Sequence, residues 1–221
     1  MSLKPGRSAL RGALVLAAFA LAGTLLLGLA FQKTQEPIAR AEEAAKLKLL
    51  NQVIPPELHD NDLLADTIEL PANILLGTDA SRPAYRAFKD GRITALAFEA
   101  IAPDGYNGRI RLLLAVSPEG RLLGVRVVAH AETPGLGDYI DIAKSDWIRQ
   151  FDGWAFSPEG ADAWQVKKDG GAFDAVAGAT VTPRAVVKAV RKALEYFHAH
   201  RERLVGEDLR TGKGQPHDAS P

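Results

Sequence analysis

The chain has 221 residues, with 27 Lys and Arg balanced by 27 Asp and Glu, so no net charge points toward nucleic acid. It contains no cysteine. That excludes Cys-ligated iron–sulfur clusters, c-type haem attachment, Cys-based zinc sites and disulfides.

The first strong signal is apolar. From Gly12 to Phe31 no residue is charged, and Leu, Ala, Val and Phe dominate. A membrane-spanning helix needs about 20 such residues. A cleaved signal peptide would carry a shorter apolar region of ~7–15 residues, so a retained anchor over 12–32 is expected. Lys4, Arg7 and Arg11 precede it without an acid. Lys33, Arg40, Lys46 and Lys48 follow it, so the count of basic residues alone does not set orientation. The acid-free flank and the short tail 1–11 favour a cytoplasmic N-terminus and a periplasmic soluble part.

Residues 35–52 predict a helix, with Ile38, Ala41, Ala45 and Leu49 near one face. With the segment to residue 56 it forms an expected stalk and linker over 33–56, ended by Pro55-Pro56. Residues 67–70 make a short candidate strand. Strands are predicted over 84–89 and 92–101 around the turn pair Asp90-Gly91. A loop follows from Pro103 to Gly108. Two further strands, 109–116 and 121–129, flank Ser117-Pro118-Glu119-Gly120.

Beyond this antiparallel set, Thr133-Pro134-Gly135-Leu136-Gly137 breaks the pattern. Residues 138–151 predict a helix through Ile142, Trp147, Ile148 and Phe151, and 173–176 a short strand. The clearest helix is 182–200, with Val186, Val190, Ala193, Leu194 and Phe197 as its apolar stripe. Past Leu204 the polar, Gly-containing composition predicts a disordered tail over 205–221. The expected architecture is an α+β domain over 57–204, an antiparallel sheet with packed helices, on a single N-terminal transmembrane helix.

Chemistry concentrates in Asp174-Ala175-Val176-Ala177-Gly178-Ala179-Thr180-Val181-Thr182-Pro183. Gly178 and Ala179 are small enough to admit a bulky group. Thr182 followed by Pro183 predicts a helix start, Thr as N-cap and Pro at the first helical position. Helix N-termini suit phosphate, and Thr180 stands two residues before this one. On local physics alone a plain loop-to-helix junction explains the same residues.

Asp174-x-x-Ala177-Gly178-Ala179-Thr180 resembles the flavinylation motif of FMN-binding domains, D-x-x-S/T-G-A-T, with Ala177 where the family usually has Ser or Thr. Three further segments resemble the G subunit of the Rnf/Rsx electron-transport complex. They are Ala102-Pro103-Asp104-Gly105-Tyr106, His130-x-Glu132-Thr133-Pro134-Gly135-Leu136-Gly137, and Gly170-Gly171-x-Phe173-Asp174. The resemblance covers roughly residues 9–200. It implies FMN joined through its phosphate to Thr180 by a separate Mg²⁺-dependent flavin transferase using FAD. It places Asp174, Ala177, Gly178, Ala179 and Thr182 in the acceptor segment. Glu132, Thr133, Pro134, Gly135, Leu136 and Gly137 would line the flavin pocket. Lys167 and Lys168 are candidate phosphate-side cations, and a solvated basic turn explains them equally well.

The resemblance also implies partner subunits in the inner membrane. Electron transfer between reduced pyridine nucleotide and ferredoxin would be coupled there to ion movement, with this chain as a one-flavin relay. The C subunit of sodium-pumping NADH:quinone reductase shares the flavin domain and is an alternative; a stand-alone anchored FMN carrier and a cofactor-free scaffold are others. His130 and Glu132 lie two apart and are too few for a metal site, so none is expected. His198 and His200 read as helix-end residues. Trp147, Trp154 and Trp164 read as core.

Overall fold

The computed structural model describes residues 6–206. The expected tail 205–221 lies outside the described residues from 207 onward, as does the start of the expected segment 1–11. The chain divides into two compact units, 1–46 and 47–221. In the first, the described residues are helical from Arg7 on. It contains most of α1, Arg7–Leu50, a helix long and apolar enough to cross a membrane. Leu14, Phe19, Leu25 and Phe31 are exposed along it. Pro37 lies inside α1, so the helix runs through the predicted start at residue 35 as one element.

The second unit holds a five-stranded antiparallel sheet in sequential order. Its strands are β1 (Thr67–Leu70), β2 (Arg82–Lys89), β3 (Arg92–Gly105), β4 (Gly108–Val116) and β5 (Leu122–Ala129). Asp90 and Gly91 have φ of 49° and 74°. Two successive positive φ values are what a tight hairpin turn between twisted strands requires.

β3 runs four residues past its predicted end. Ala102 pairs with Ile110 and Gly105 with Gly108, with a bulge between, so only Tyr106 and Asn107 remain as the turn. The proline that marked a loop in the sequence sits in that bulge, where a strand tolerates it.

α2 (Val181–Val205) lies across one face of the sheet. Val186, Val190, Ala193, Leu194 and Phe197 are each 1% exposed or less. They pack with Leu96, Phe98, Leu112, Leu114 and Val125, and the rings of Phe98 and Phe197 stack with centroids 6.5 Å apart. The opposite face carries Ala95, Ala97, Leu113 and Ala115, covered by Leu50, Val53, Ile54 and Leu63. Residues 50–54, expected in a linker, are thus part of the core. Gly124 on β5 admits this segment, because a Cβ there would lie 3.2 Å from the Val53 backbone.

Residues 138–151 do not form the predicted helix. Two 3₁₀ turns, Asp138–Ile140 and Asp146–Phe151, replace it. Asp141 accepts the Ala143 N–H and the Ser145 hydroxyl oxygen accepts the Trp147 N–H. Short polar side chains that bond their own backbone compete with helix in this way. The predicted strand 173–176 is reduced to one parallel bridge, Val166 with Phe173. Phe151, Trp164 and Phe173 are buried, with Trp154 packed against them as core. His200 is bonded through Nδ1 to the Tyr196 carbonyl and stacks on the Tyr196 ring.

Candidate functional site at the start of the last helix

α2 begins two residues earlier than its sequence signals, Thr182 as N-cap and Pro183 as the first helical residue, indicate. Thr180 occupies the N-cap position, with helical φ −76° and ψ −22° and no side-chain cap hydrogen bond. Thr182 does not cap. It is buried inside the first turn, and its hydroxyl donates to the carboxylate of Glu132. Pro183 follows at the third helical position, where the missing N–H costs nothing, since the first four N–H groups have no intrahelical partner.

Glu132 is the hub of this region. Only 4% exposed, it accepts the Asn107 N–H from the β3–β4 turn at 3.1 Å as well as the Thr182 hydroxyl. Its own N–H donates to His130 Nδ1 at 3.1 Å, which leaves that nitrogen as an acceptor. A buried carboxylate is tolerated when its oxygens are bonded in this way. Two glycines make room for it. A Cβ on Gly105 would lie 2.9 Å from Glu132 Oε1, and one on Gly137 2.9 Å from Oε2 and 3.0 Å from Thr182 Oγ1.

Around this hub lies a cavity of about 320 Å³, near the lower end of the ~300–1,000 Å³ typical of small-ligand sites. Tyr106 lines it from the β3–β4 turn. Glu132, Thr133, Leu136 and Gly137 line it from the segment after β5, and Gly178, Ala179, Val181 and Thr182 from the approach to α2. Tyr106, Leu136 and Val181 are 68%, 52% and 44% exposed. Large apolar side chains standing open around a concavity suit a flat apolar ligand. A larger cleft of about 430 Å³ lies along α2 between Trp164 and Arg191. It is lined by none of the motif residues, and Arg184 there is already satisfied by Asp169 through two bonds of 2.6 Å.

The sequence motifs therefore converge in part. Glu132, Thr133, Leu136, Gly137, Gly178, Ala179 and Thr182 share one cavity. Thr180, half-buried, sits between two of its lining residues. Pro134 and Gly135 are exposed and shape the loop instead; Gly135 takes φ 77° and donates its N–H to Asp138 at 2.7 Å. Ala177 is exposed. Asp174 sets the start of the segment. Its N–H donates to Gln150 Oε1 and its carbonyl accepts from Trp147 Nε1, both at 2.8 Å, while Lys167 pairs with its carboxylate at 2.6 Å. Lys168 is exposed and does not line the cavity. No cluster of three metal-ligating side chains occurs among the described residues.

Sequence reasoning missed Tyr139. Its hydroxyl accepts the Val176 N–H and donates to the Ala179 carbonyl, both at 3.4 Å. Burial pushes its phenol pKa up. Both partners are main-chain groups far along the chain, so no local spacing announces the contact.

A five-stranded antiparallel sheet closed by a helix, with an apolar-rimmed cavity at that helix's start, is the architecture of an FMN-binding domain, and the FMN-binding domain family matches residues 105–195. The RnfG N-terminal region family matches residues 1–53. The chain is 52% identical over 206 residues to the G subunit of the ion-translocating oxidoreductase complex of Pseudomonas aeruginosa, covering 93% of this chain and 96% of the relative. To the corresponding G subunit of Vibrio cholerae it is 48% identical, covering 88% and 92%, and to that of Shewanella oneidensis 46%, covering 90% and 94%. The chain belongs to the family of G subunits of ion-translocating oxidoreductase complexes.

Proposed function

We propose that this chain is the membrane-anchored FMN subunit of an ion-translocating oxidoreductase complex, with FMN attached through its phosphate to the Thr180 hydroxyl. The observation that carries the reading is Thr180 itself. It stands at the N-cap of α2 with a side chain that makes no cap bond, at the edge of an apolar-rimmed cavity, and it ends the Asp-x-x-Ala-Gly-Ala-Thr segment. A hydroxyl not needed for capping is available for esterification. The free N–H groups and positive end of α2 favour a phosphate beside it.

The residues present fit the group. Tyr106, Leu136 and Val181 offer apolar surface to a flat ring, and Gly178 and Ala179 keep the approach to Thr180 open. Bound FMN supplies the electron chemistry. The chain's own residues fix its place, exclude water along the apolar rim and hold the acceptor loop through Asp174. Glu132 joins three segments under the cavity, and its distance from solvent suits a structural part. Esterification at the phosphate leaves the ring free, and a tethered flavin stays with a membrane relay.

α1 anchors the subunit, and the acid-free N-terminal flank supports placing the soluble domain in the periplasm. The other subunits of the complex supply nucleotide binding and the ion path. A separate Mg²⁺-dependent flavin transferase, drawing on FAD, attaches the cofactor. The match of residues 1–53 to the RnfG N-terminal region favours this assignment over the C subunit of sodium-pumping NADH:quinone reductase. It also favours it over a stand-alone carrier, which would co-purify without multi-spanning partners.

The test is intact mass and in-gel fluorescence of protein exported in a host that has the transferase. Wild type should gain the mass of FMN less one water and fluoresce after denaturation. Thr180→Ala should stay folded, gain no mass and remain dark. Fluorescence retained by the variant after denaturation would refute the attachment site.

A further inference from the structure

We propose that Tyr139 is a positioning residue for flavin attachment, its hydroxyl clamping the turn that presents Thr180 to the incoming phosphate. The inference rests on Thr180 being the acceptor.

The acceptor segment is fixed firmly at both ends. Asp174 is held by Trp147, Gln150 and Lys167, and α2 is held through Thr182 and Glu132. Between them the backbone reverses in a β-turn, where the Ala179 N–H donates to the Val176 carbonyl at 3.1 Å. Gly178 occupies the third turn position at φ 85°, a conformation natural only to glycine. Tyr139 joins the two ends of this turn, accepting from Val176 and donating to Ala179. Each bond is long, but the ring that makes both is immobilised edge-on against Trp147, with centroids 5.6 Å apart and planes at 88°. The same Trp147 holds Asp174. Clamp and anchor are thus one aromatic pair, and the residue after the clamped carbonyl is Thr180.

In the attachment step the Thr180 Oγ–P bond forms and the pyrophosphate P–O bond of FAD breaks. AMP leaves with the bridging oxygen, and the hydroxyl proton passes to the transferase. Tyr139 touches none of these atoms. It shortens the search for the geometry in which the hydroxyl faces phosphorus, so its loss should lower turnover without changing the transferase's KM for FAD.

The experiment uses the full-length chain in detergent, produced without transferase and then incubated with transferase, FAD and Mg²⁺. Covalent fluorescence is followed in time. Tyr139→Phe removes only the hydroxyl and should slow attachment about tenfold at unchanged KM for FAD, reaching the wild-type extent. Gly178→Ala should slow it at least as much: no atom of the domain lies within 4 Å of the added methyl, but the turn conformation is penalised and the methyl also narrows the approach to Thr180. Phe197→Ala weakens the core about five helical turns away and should be modified at the wild-type rate below its melting temperature. Attachment to Tyr139→Phe within twofold of wild type would overturn the clamp while leaving Thr180 as acceptor. So would equal slowing in Phe197→Ala. Absence of flavin on the wild type would overturn the acceptor assignment and the clamp with it.

Discussion

At the scale of single residues, Glu132 shows how a buried charge can be an organiser. Its two oxygens receive donors from two different segments, the Asn107 amide and the Thr182 hydroxyl. Glu132→Leu keeps much of the volume but leaves the Asn107 N–H and the Thr182 hydroxyl without their acceptor. That should cost about 1–3 kcal/mol, the usual penalty for a buried polar group left unmatched, and urea denaturation would measure it. The same residue explains one misreading. Thr182 and Pro183 satisfy the local rules for an N-cap and first helical position, yet Glu132, fifty residues upstream, claims the hydroxyl and the cap falls to Thr180. Tyr139 was illegible for a like reason, since its partners are backbone groups 37 and 40 residues away. The run from Asp174 to Thr180 stood out because small residues and a following helix start are local features; its reading as a flavin acceptor comes from the family resemblance alone.

At the scale of elements, legibility follows the range of the forces involved. The β2–β3 hairpin was plain because Asp90-Gly91 supplies two positive φ values in the turn. The buried stripe of α2 was plain because its period is that of a helix. Residues 138–151 misled because Ile142, Trp147, Ile148 and Phe151 carry helix-like spacing while Asp141 and Ser145 redirect the backbone. The end of β3 misled because Pro103 sits at a bulge. α2 is the element on which the site depends, and its grip on the sheet rests on packing such as Phe98 against Phe197. Phe197→Ala should destabilise the domain by about 3–5 kcal/mol, read as a lower thermal midpoint with an unchanged far-UV spectrum below it.

At the scale of the whole molecule, the unit that begins at residue 47 contains both hydrophobic clusters and the cavity. A chain starting at Leu47 should therefore be soluble without detergent and unfold in one cooperative transition. Starting instead after Ile54 would remove Leu50, Val53 and Ile54 from one face of the sheet and should yield aggregating protein. Size-exclusion chromatography and urea unfolding of the two forms would separate these outcomes. The expectation of a linker through residue 56 failed here because Leu50, Val53 and Ile54, three apolar residues in a row of turns, have a sheet face to cover.

The sequential order of the sheet bears on the timing of assembly. Each strand pairs with its neighbour in sequence, so the hairpins can zip in the order in which the chain emerges, with little loop-closure penalty. Their inner face stays bare until α2, the last described element, arrives. Thr180 belongs to that last arrival, and the cavity wall it adjoins is split between the early sheet and the late helix. The geometry proposed for attachment thus does not exist on a half-made chain. Esterification at Thr180 would mark only molecules whose folding is complete, making the cofactor a receipt for the finished fold.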